Sequence, residues 1–341
     1  TMIQFLLNPT KKMALIHGLF TAFAIDIRVL GVLIPAGTIA LSIIRGFKGE
    51  VKTNRLLISG LIYLIFTIFF SILFFPYLWE NPLANFLQVF SNMAHFRWNN
   101  EVLFMGKFIK AASLPWYYIL VWIFITTPLF YLFLFFMGMP LVIKTTLKNK
   151  FQLWKNDQEM QDLIFLSLVI LPIVMVIALK SILYDGWRHL YFIYPAFLLI
   201  SIRGYVLLQN IFNRKFQKII LYSLTLFSLG FYAYWIKANH PFQFTFFNHF
   251  AGNEIRYKFD MDYWGVGNRR ALENLLNKDP KQNIKIYCAS NTMLEYSFML
   301  LPESIRYRIS QTNTIGDADY IFTNYRNVHS DDDRQLSNSY P

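Results

Sequence analysis

The chain has 341 residues and a formal charge of +12, with 32 Lys and Arg against 20 Asp and Glu; 55% of it is hydrophobic, 18% aromatic and only 15% charged. A soluble globular chain carries about 25% charged residues, so this one has too little polar side chain to clothe a water-exposed surface. Its hydrophobicity also excludes disorder, and the composition predicts an integral membrane protein with a soluble portion attached.

Crossing the hydrocarbon layer as a helix takes roughly 20 mostly apolar residues. In chain order, residues 14–25 and 29–44 form a pair separated by Asp26, Ile27 and Arg28, the first member short. Residues 55–75 follow, then a longer stretch, 115–143, which contains Pro128 and is predicted to kink there. Residues 163–178, 190–208 and 216–236 complete the series. Three clusters of cations mark the connections: Arg45, Lys48, Lys52 and Arg55; Lys144, Lys148, Lys150 and Lys155; Arg203, Arg214, Lys215 and Lys218. Pairs of crossings separate them, so all three fall on one side, the cytoplasm by the positive-inside rule. These anchors account for much of the net charge, and no basic surface for nucleic acid is expected.

The opposite side receives residues 26–28, the long loop 76–114, the short loop 181–188 and everything from Lys237 onward. The 76–114 loop, rich in aromatics and amides, reads either as an interfacial segment with Trp79, Trp98 and Trp116 at headgroup depth or as a lid over a site. After Ile236 the composition turns polar. Residues 267–276 and 292–300 read as helices, and 284–288 and 318–323 as strands. The expected organisation is a transmembrane region at 1–236, a small extracytoplasmic α/β domain at 237–328, and a flexible tail at 329–341. The single cysteine, Cys288, permits no intrachain disulfide or cysteine metal cluster. No internal repeat, nucleotide-binding glycine fingerprint or metal-ligand spacing is present, so no metal ligands are assigned.

Ionisable groups at membrane depth are costly unless paired or wet. Asp26 and Arg28 lie between two apolar stretches, as a local ion pair or as part of an anion cavity. His17 reads as a packed, hydrogen-bonded histidine. Arg188 and His189 stand at the outer mouth of a helix, where a guanidinium is a natural partner for a lipid phosphate, and Pro195 is expected to loosen that helix. The long loop adds Glu80, His95, Arg97, Glu101 and Lys107. Glu80 and Glu101 read foremost as solvated carboxylates.

Several phrases together resemble the class C membrane glycosyltransferases, in particular the bacterial relatives of protein O-mannosyltransferases and of the lipid A aminoarabinose transferases. They are HGLFTAFAIDIRVLGVLIP at 17–35, NEVLFMGKFIKAASLPWYYILVWIFITTP at 100–128, RHLYFIYPAFLLI at 188–200, and HPFQFTFFNHFAG with DYWGVGNRRALENL within 240–275. The resemblance implies a multi-pass α-helical protein of the bacterial inner membrane. It also implies inverting transfer of a sugar from a polyprenyl-phosphate donor to a protein, lipid or glycan of the cell envelope, on the extracytoplasmic face. Arg28, Arg188 and His189 would hold the donor phosphate; His95 and Trp98 would contact sugar or headgroup. The family places its catalytic carboxylate in an acidic loop after its first helix, sometimes with a divalent metal. No such loop is found here, so the chain is expected to be an N-terminally truncated member, no catalytic residue is assigned, and metal dependence stays open. The rival expectations are a transporter or lipid flippase, and a non-catalytic membrane subunit.

Overall fold

The computed structural model describes residues 1–94, 98 and 100–326. The chain is mostly helical. In chain order its elements are α1 (Met2–Leu7), α2 (Lys11–Ile27), α3 (Leu33–Phe47), α4 (Thr53–Phe74), α5 (Pro82–Ala94), β1 (Glu101–Phe104), β2 (Lys107–Lys110), α6 (Tyr118–Thr126), α7 (Leu129–Asn149), α8 (Asp157–Ala178), α9 (Tyr194–Ile211), α10 (Lys215–Ala238), α11 (Asn268–Lys278), β3 (Ile284–Cys288), α12 (Leu294–Met299), α13 (Glu303–Arg306), β4 (Ile309–Thr312) and β5 (Tyr320–Phe322), with short 3-10 turns between some of them. Among the described residues six helical stretches are long and apolar enough to cross a membrane: Val29–Phe47, Thr53–Phe74, Leu129–Gln152, Asp157–Ala178, Arg188–Ile211 and Lys215–Ala238. Two compact units are formed, one from Thr1–Arg97 with Val142–Ile164, the other from Trp98–Leu141 with Phe165–Pro341.

The first unit is built inside out. Along α4 the buried residues are Ser59, Tyr63, Thr67 and Ser71, spaced four apart on one face, while Leu57, Leu61, Ile65 and Ile68 are exposed. A helix that turns its hydroxyls inward and its leucines outward would be penalised in water and suits hydrocarbon, where small and hydroxylated residues line helix contacts. Two of the hydroxyls are satisfied within the helix, Ser59 donating to the Arg55 carbonyl and Thr67 to that of Tyr63, each at 2.7 Å, and the Tyr63 hydroxyl meets that of Thr21 on α2 at 3.2 Å. α2 packs on this face. A Cβ on Gly18 would stand 3.1 Å from the Tyr63 carbonyl and the Thr67 nitrogen. His17 is a packed histidine, stacked on Tyr63 at 4.5 Å between ring centres and joined through Nε2 to the Thr38 hydroxyl at 3.0 Å.

At one end of this unit the expected anchors turn out to be a network. Arg45 is only 5% exposed. It donates to Glu50 at 2.9 Å and to the Leu6 carbonyl, and lies 3.7 Å from Asp157. Lys48 donates to Glu50 at 2.7 Å and to the Trp154 carbonyl at 2.6 Å, and Trp154 Nε1 donates to Glu50 at 2.9 Å. Burial works against the Glu50 charge, but Lys48, Trp154 and Arg45 outweigh it and hold the carboxyl below its usual range. Arg45 and Lys48 are therefore committed groups rather than loose interfacial anchors.

The 76–114 stretch is not a structureless loop. α5 exposes Leu83, Leu87 and Phe90 at helical spacing, the stripe of an interfacial amphipathic helix. β1 and β2 form an antiparallel hairpin in the second unit.

In that unit the expected kinked helix at 115–143 is instead interrupted. α6 ends at Thr126 and α7 starts at Leu129. Pro128 lacks an N–H and drives the preceding residue out of the helical region, and Thr127 is extended at φ −98°, ψ 138°. Three of the carbonyls left open are taken by one residue: Asn248 donates through Nδ2 to Phe124 at 2.6 Å and Thr127 at 2.7 Å, and through its backbone N–H to Ile125 at 2.7 Å. α7 and α9 cross at two glycines. A Cβ on Gly138 would fall 2.1 Å from the Ile200 carbonyl oxygen, and one on Gly204 2.0 Å from that of Leu134. The C-terminal part carries a three-stranded parallel sheet in the order β4-β3-β5, over a core of Leu272, Leu276, Ile284, Ile286, Leu294 and Leu301. β4 is an addition to the expected strands. Its residues Ser310 and Gln311 are exposed and Thr312 half-buried, leaving no alternating apolar signal to read.

Candidate functional site

The site lies in the second unit, at the turn leading into α9. Asp185 and Gly186 both have left-handed backbone, φ +54° and +72°, which an Asp-Gly pair tolerates. The tight turn points the Asp185 carboxylate inward, to 3% exposure. A Cβ at Gly186 would already be 3.4 Å from the Trp122 ring. The residues 188–193 then form a 3-10 turn, and α9 begins at Tyr194 with Pro195 in its first turn. The expectation that Pro195 loosens the helix is thus overturned: in the first turn the missing N–H has no partner to lose, and the fixed φ favours a start.

Two arginines share Asp185. Arg188 Nη2 lies 3.0 Å from Oδ2. Arg326, just beyond β5, closes on both oxygens, Nε to Oδ1 at 3.0 Å and Nη2 to Oδ2 at 3.1 Å. Burial pushes the Asp185 carboxyl above its usual range, and the pull of Arg326 and Arg188 does not cancel that push. Within this contact one carboxylate therefore faces two guanidinium groups.

Aromatic rings wall the cluster. The Arg188 guanidinium carbon lies 4.7 Å from the ring centre of Tyr184, 4.8 Å from Trp264 and 5.6 Å from Tyr263, within the range of cation–π attraction. Its Nε is buried without a hydrogen-bond partner among the described residues. Trp98 stacks on Tyr184 at 4.4 Å, and His189 meets the same ring edge-on at 4.9 Å. Burial, followed by the neighbouring Tyr191, pushes the Tyr263 hydroxyl above its usual range, so it is a neutral donor.

Next to the cluster opens a cavity of about 410 Å³, walled by residues 111–116, Tyr118 and Ile119 on one side and by the end of α8 through Lys180, Ser181 and Leu183 on the other. The nearby carboxylates are held by structural partners. Asp260 accepts from the Leu103 N–H at 3.0 Å, and Asp262 from the N–H groups of Val266 and Gly267, each at 2.8 Å.

Three of the residues singled out from sequence therefore converge: Trp98, Arg188 and His189 all reach Tyr184. Arg28 belongs to the first unit, where it is an exposed residue ending α2, its N–H bonded to the Ala24 carbonyl at 3.1 Å. His95 lies outside the described residues. Asp185 and Arg326 were not singled out. The first lies in the short 181–188 loop, three residues before Arg188; the second carries no local signal. Among the described residues no group of His, Cys, Asp and Glu is placed to hold a metal ion. Comparisons with protein families, with curated proteins and with solved structures found no match.

Proposed function

We propose that this chain is a multi-pass membrane glycosyltransferase component that holds a polyprenyl-phosphate-linked sugar at the Asp185–Arg188–Arg326 cluster. The observation that carries the reading is the pair of guanidinium groups converging on Asp185, walled by Trp98, Tyr184, Tyr263 and Trp264, beside the helix Arg188–Ile211. A lipid phosphate needs a cation at headgroup height, and a sugar ring packs its apolar face on an aromatic. When the glycosidic bond breaks, the electron pair leaves with the phosphate. A fixed cation stabilises that charge as it develops. The structural commitments of Asp185, Asp260 and Asp262 fit a cluster that binds donor rather than one that takes the acceptor's proton.

The sidedness is part of the proposal. Arg45 and Lys48 share a network with Trp154 and Asp157, which supports one face for the two basic connections. Alternate crossings then give the Asp185 loop and the α/β domain to the other face, extracytoplasmic in a bacterial inner membrane. The helix interruption at Pro128 is a feature that translocating proteins use for ligands. Here Asn248 fills the open carbonyls, which weighs against the transporter reading.

The test is binding of a labelled polyprenyl-phosphate sugar to the purified chain in nanodiscs, followed by transfer to isolated envelope acceptors. Arg188→Gln should weaken donor binding by about tenfold or more, the worth of one charge-assisted hydrogen bond, while Lys278→Gln leaves it unchanged. Wild-type donor binding by Arg188→Gln would sink the reading and leave the cluster a structural tether.

A further inference from the structure

A second basic site lies in the first unit, apart from the cluster at Asp185 in residues and in role. A cleft of about 380 Å³ opens between the start of α2 and the start of α4, and is lined by Pro9, Thr10, Lys11, Lys52, Arg55 and Ile58 among others. Three cations and no carboxylate face it. Arg55 is fixed in place, donating through Nε to the Pro9 carbonyl at 2.9 Å and through Nη2 to Asn8 Oδ1 at 2.5 Å. Lys11 and Lys52 are exposed and form no ion pair among the described residues. The adjacent acid, Glu50, is already held by Arg45, Lys48 and Trp154. Lys12 adds a further exposed charge next to Lys11. The positive charge at this cleft is therefore uncompensated from within the unit.

The floor of the cleft is apolar. Pro9, Ile58 and the methylene stems of the lysines line it, and the exposed Leu57 and Leu61 continue along α4. A free phosphate ion has no use for such a floor, whereas an amphiphile does: its phosphodiester meets the lysines and its acyl chains follow the apolar face. We propose that this cleft binds the headgroup of an anionic membrane phospholipid, with Lys11 and Lys52 as the contacting charges and Arg55 as the group that holds the cleft open by fixing the Asn8–Pro9 segment. Basic pockets at the ends of membrane helices recognise acidic lipids on the same physical grounds.

The experiment measures lipid retained on the purified chain by native mass spectrometry, after passage through phosphatidylcholine nanodiscs with and without a minority of phosphatidylglycerol. The wild type should retain phosphatidylglycerol in preference to phosphatidylcholine. Lys11→Gln with Lys52→Gln should lower that retention by about tenfold. Both residues are exposed, so folding is preserved, and Lys278→Gln with Lys285→Gln, which removes the same two charges from exposed positions elsewhere, serves as the control. Equal retention of the two lipids, an unchanged double variant, or displacement of the lipid by inorganic phosphate would each overturn the proposal. None of these outcomes bears on donor binding at Arg188, so the two readings fail separately.

Discussion

Arg326 grips both carboxylate oxygens of Asp185, at 3.0 and 3.1 Å, across 141 residues of sequence. The bond joins the end of β5 to the turn before α9, and so fastens the parallel sheet to the membrane-helix part of the same unit. Its bidentate geometry is the one that only arginine supplies.

Removing Arg326 should be costly. In Arg326→Ala, Asp185 keeps Arg188 but loses its two-point partner, and the expected loss is about 2–4 kcal/mol. Arg326→Lys, which cannot fork, should recover only part of it. Thermal unfolding in detergent, together with limited proteolysis of the segment after α10, would register the change. Equal melting of wild type and Arg326→Ala would refute the tether.

The raised carboxyl of Asp185 sets a pH dependence of definite sign. The folded state holds its proton more tightly than the unfolded chain does. Its contribution to stability is therefore complete below the ordinary pKa of 3.8 and is lost as pH rises through the folded value. Asp185→Asn removes this dependence. The stability of the wild type relative to Asp185→Asn should be flat below that ordinary value and should decline with rising pH above it. A difference that grows in favour of the wild type over that range would contradict the assignment.

Asn248 is the cap of the interrupted helix. Asn248→Ala leaves the Phe124 and Thr127 carbonyls without their side-chain donor, a loss of about 2–6 kcal/mol at 1–3 per stranded group. Asn248→Asp preserves the shape but offers acceptors in place of donors, and should be no better. Unfolding midpoints of the two variants would decide it; recovery by Asp would mean that size rather than hydrogen bonding matters.

The helix crossing at Gly138 and Gly204 admits no methyl group. Gly138→Ala or Gly204→Ala would place a carbon about 2 Å from a facing carbonyl oxygen, and each should cost about 3 kcal/mol or more, since backbone cannot yield as a side chain can. Gly230, with open space at its Cβ position, provides the control: Gly230→Ala should be neutral or stabilising by up to about 1 kcal/mol. Yield of folded protein by size-exclusion chromatography would separate the two outcomes.

How far these features could be read from sequence depends on whether their signal is local. The spanning helices are legible because each is a continuous apolar run, and Arg188 and His189 stand out because charge at the end of such a run is unusual. Trp98 was visible as an interfacial aromatic. Its stacking on Tyr184 was not, because that contact depends on the chain returning after α8. Arg326 was invisible for the same reason, as an unremarkable cation beyond a short strand. Pro128 advertised a distortion, but whether a helix kinks or stops depends on who accepts its open carbonyls, and Asn248 lies far along the chain. Arg45 and Lys48 looked like free anchors because Glu50 and Trp154, which engage them, are ordinary residues until the two connections meet.

The distance between Pro128 and its cap also bears on how the protein is made. While the ribosome has delivered only the stretch through α7, the carbonyls of Phe124 and Thr127 have no Asn248 to meet. The nascent segment must enter the bilayer either as one bent helix or with those groups still wet. The interruption seen in the finished chain can be locked only after α10 has emerged and the following residues have folded back, so it is set late in membrane integration.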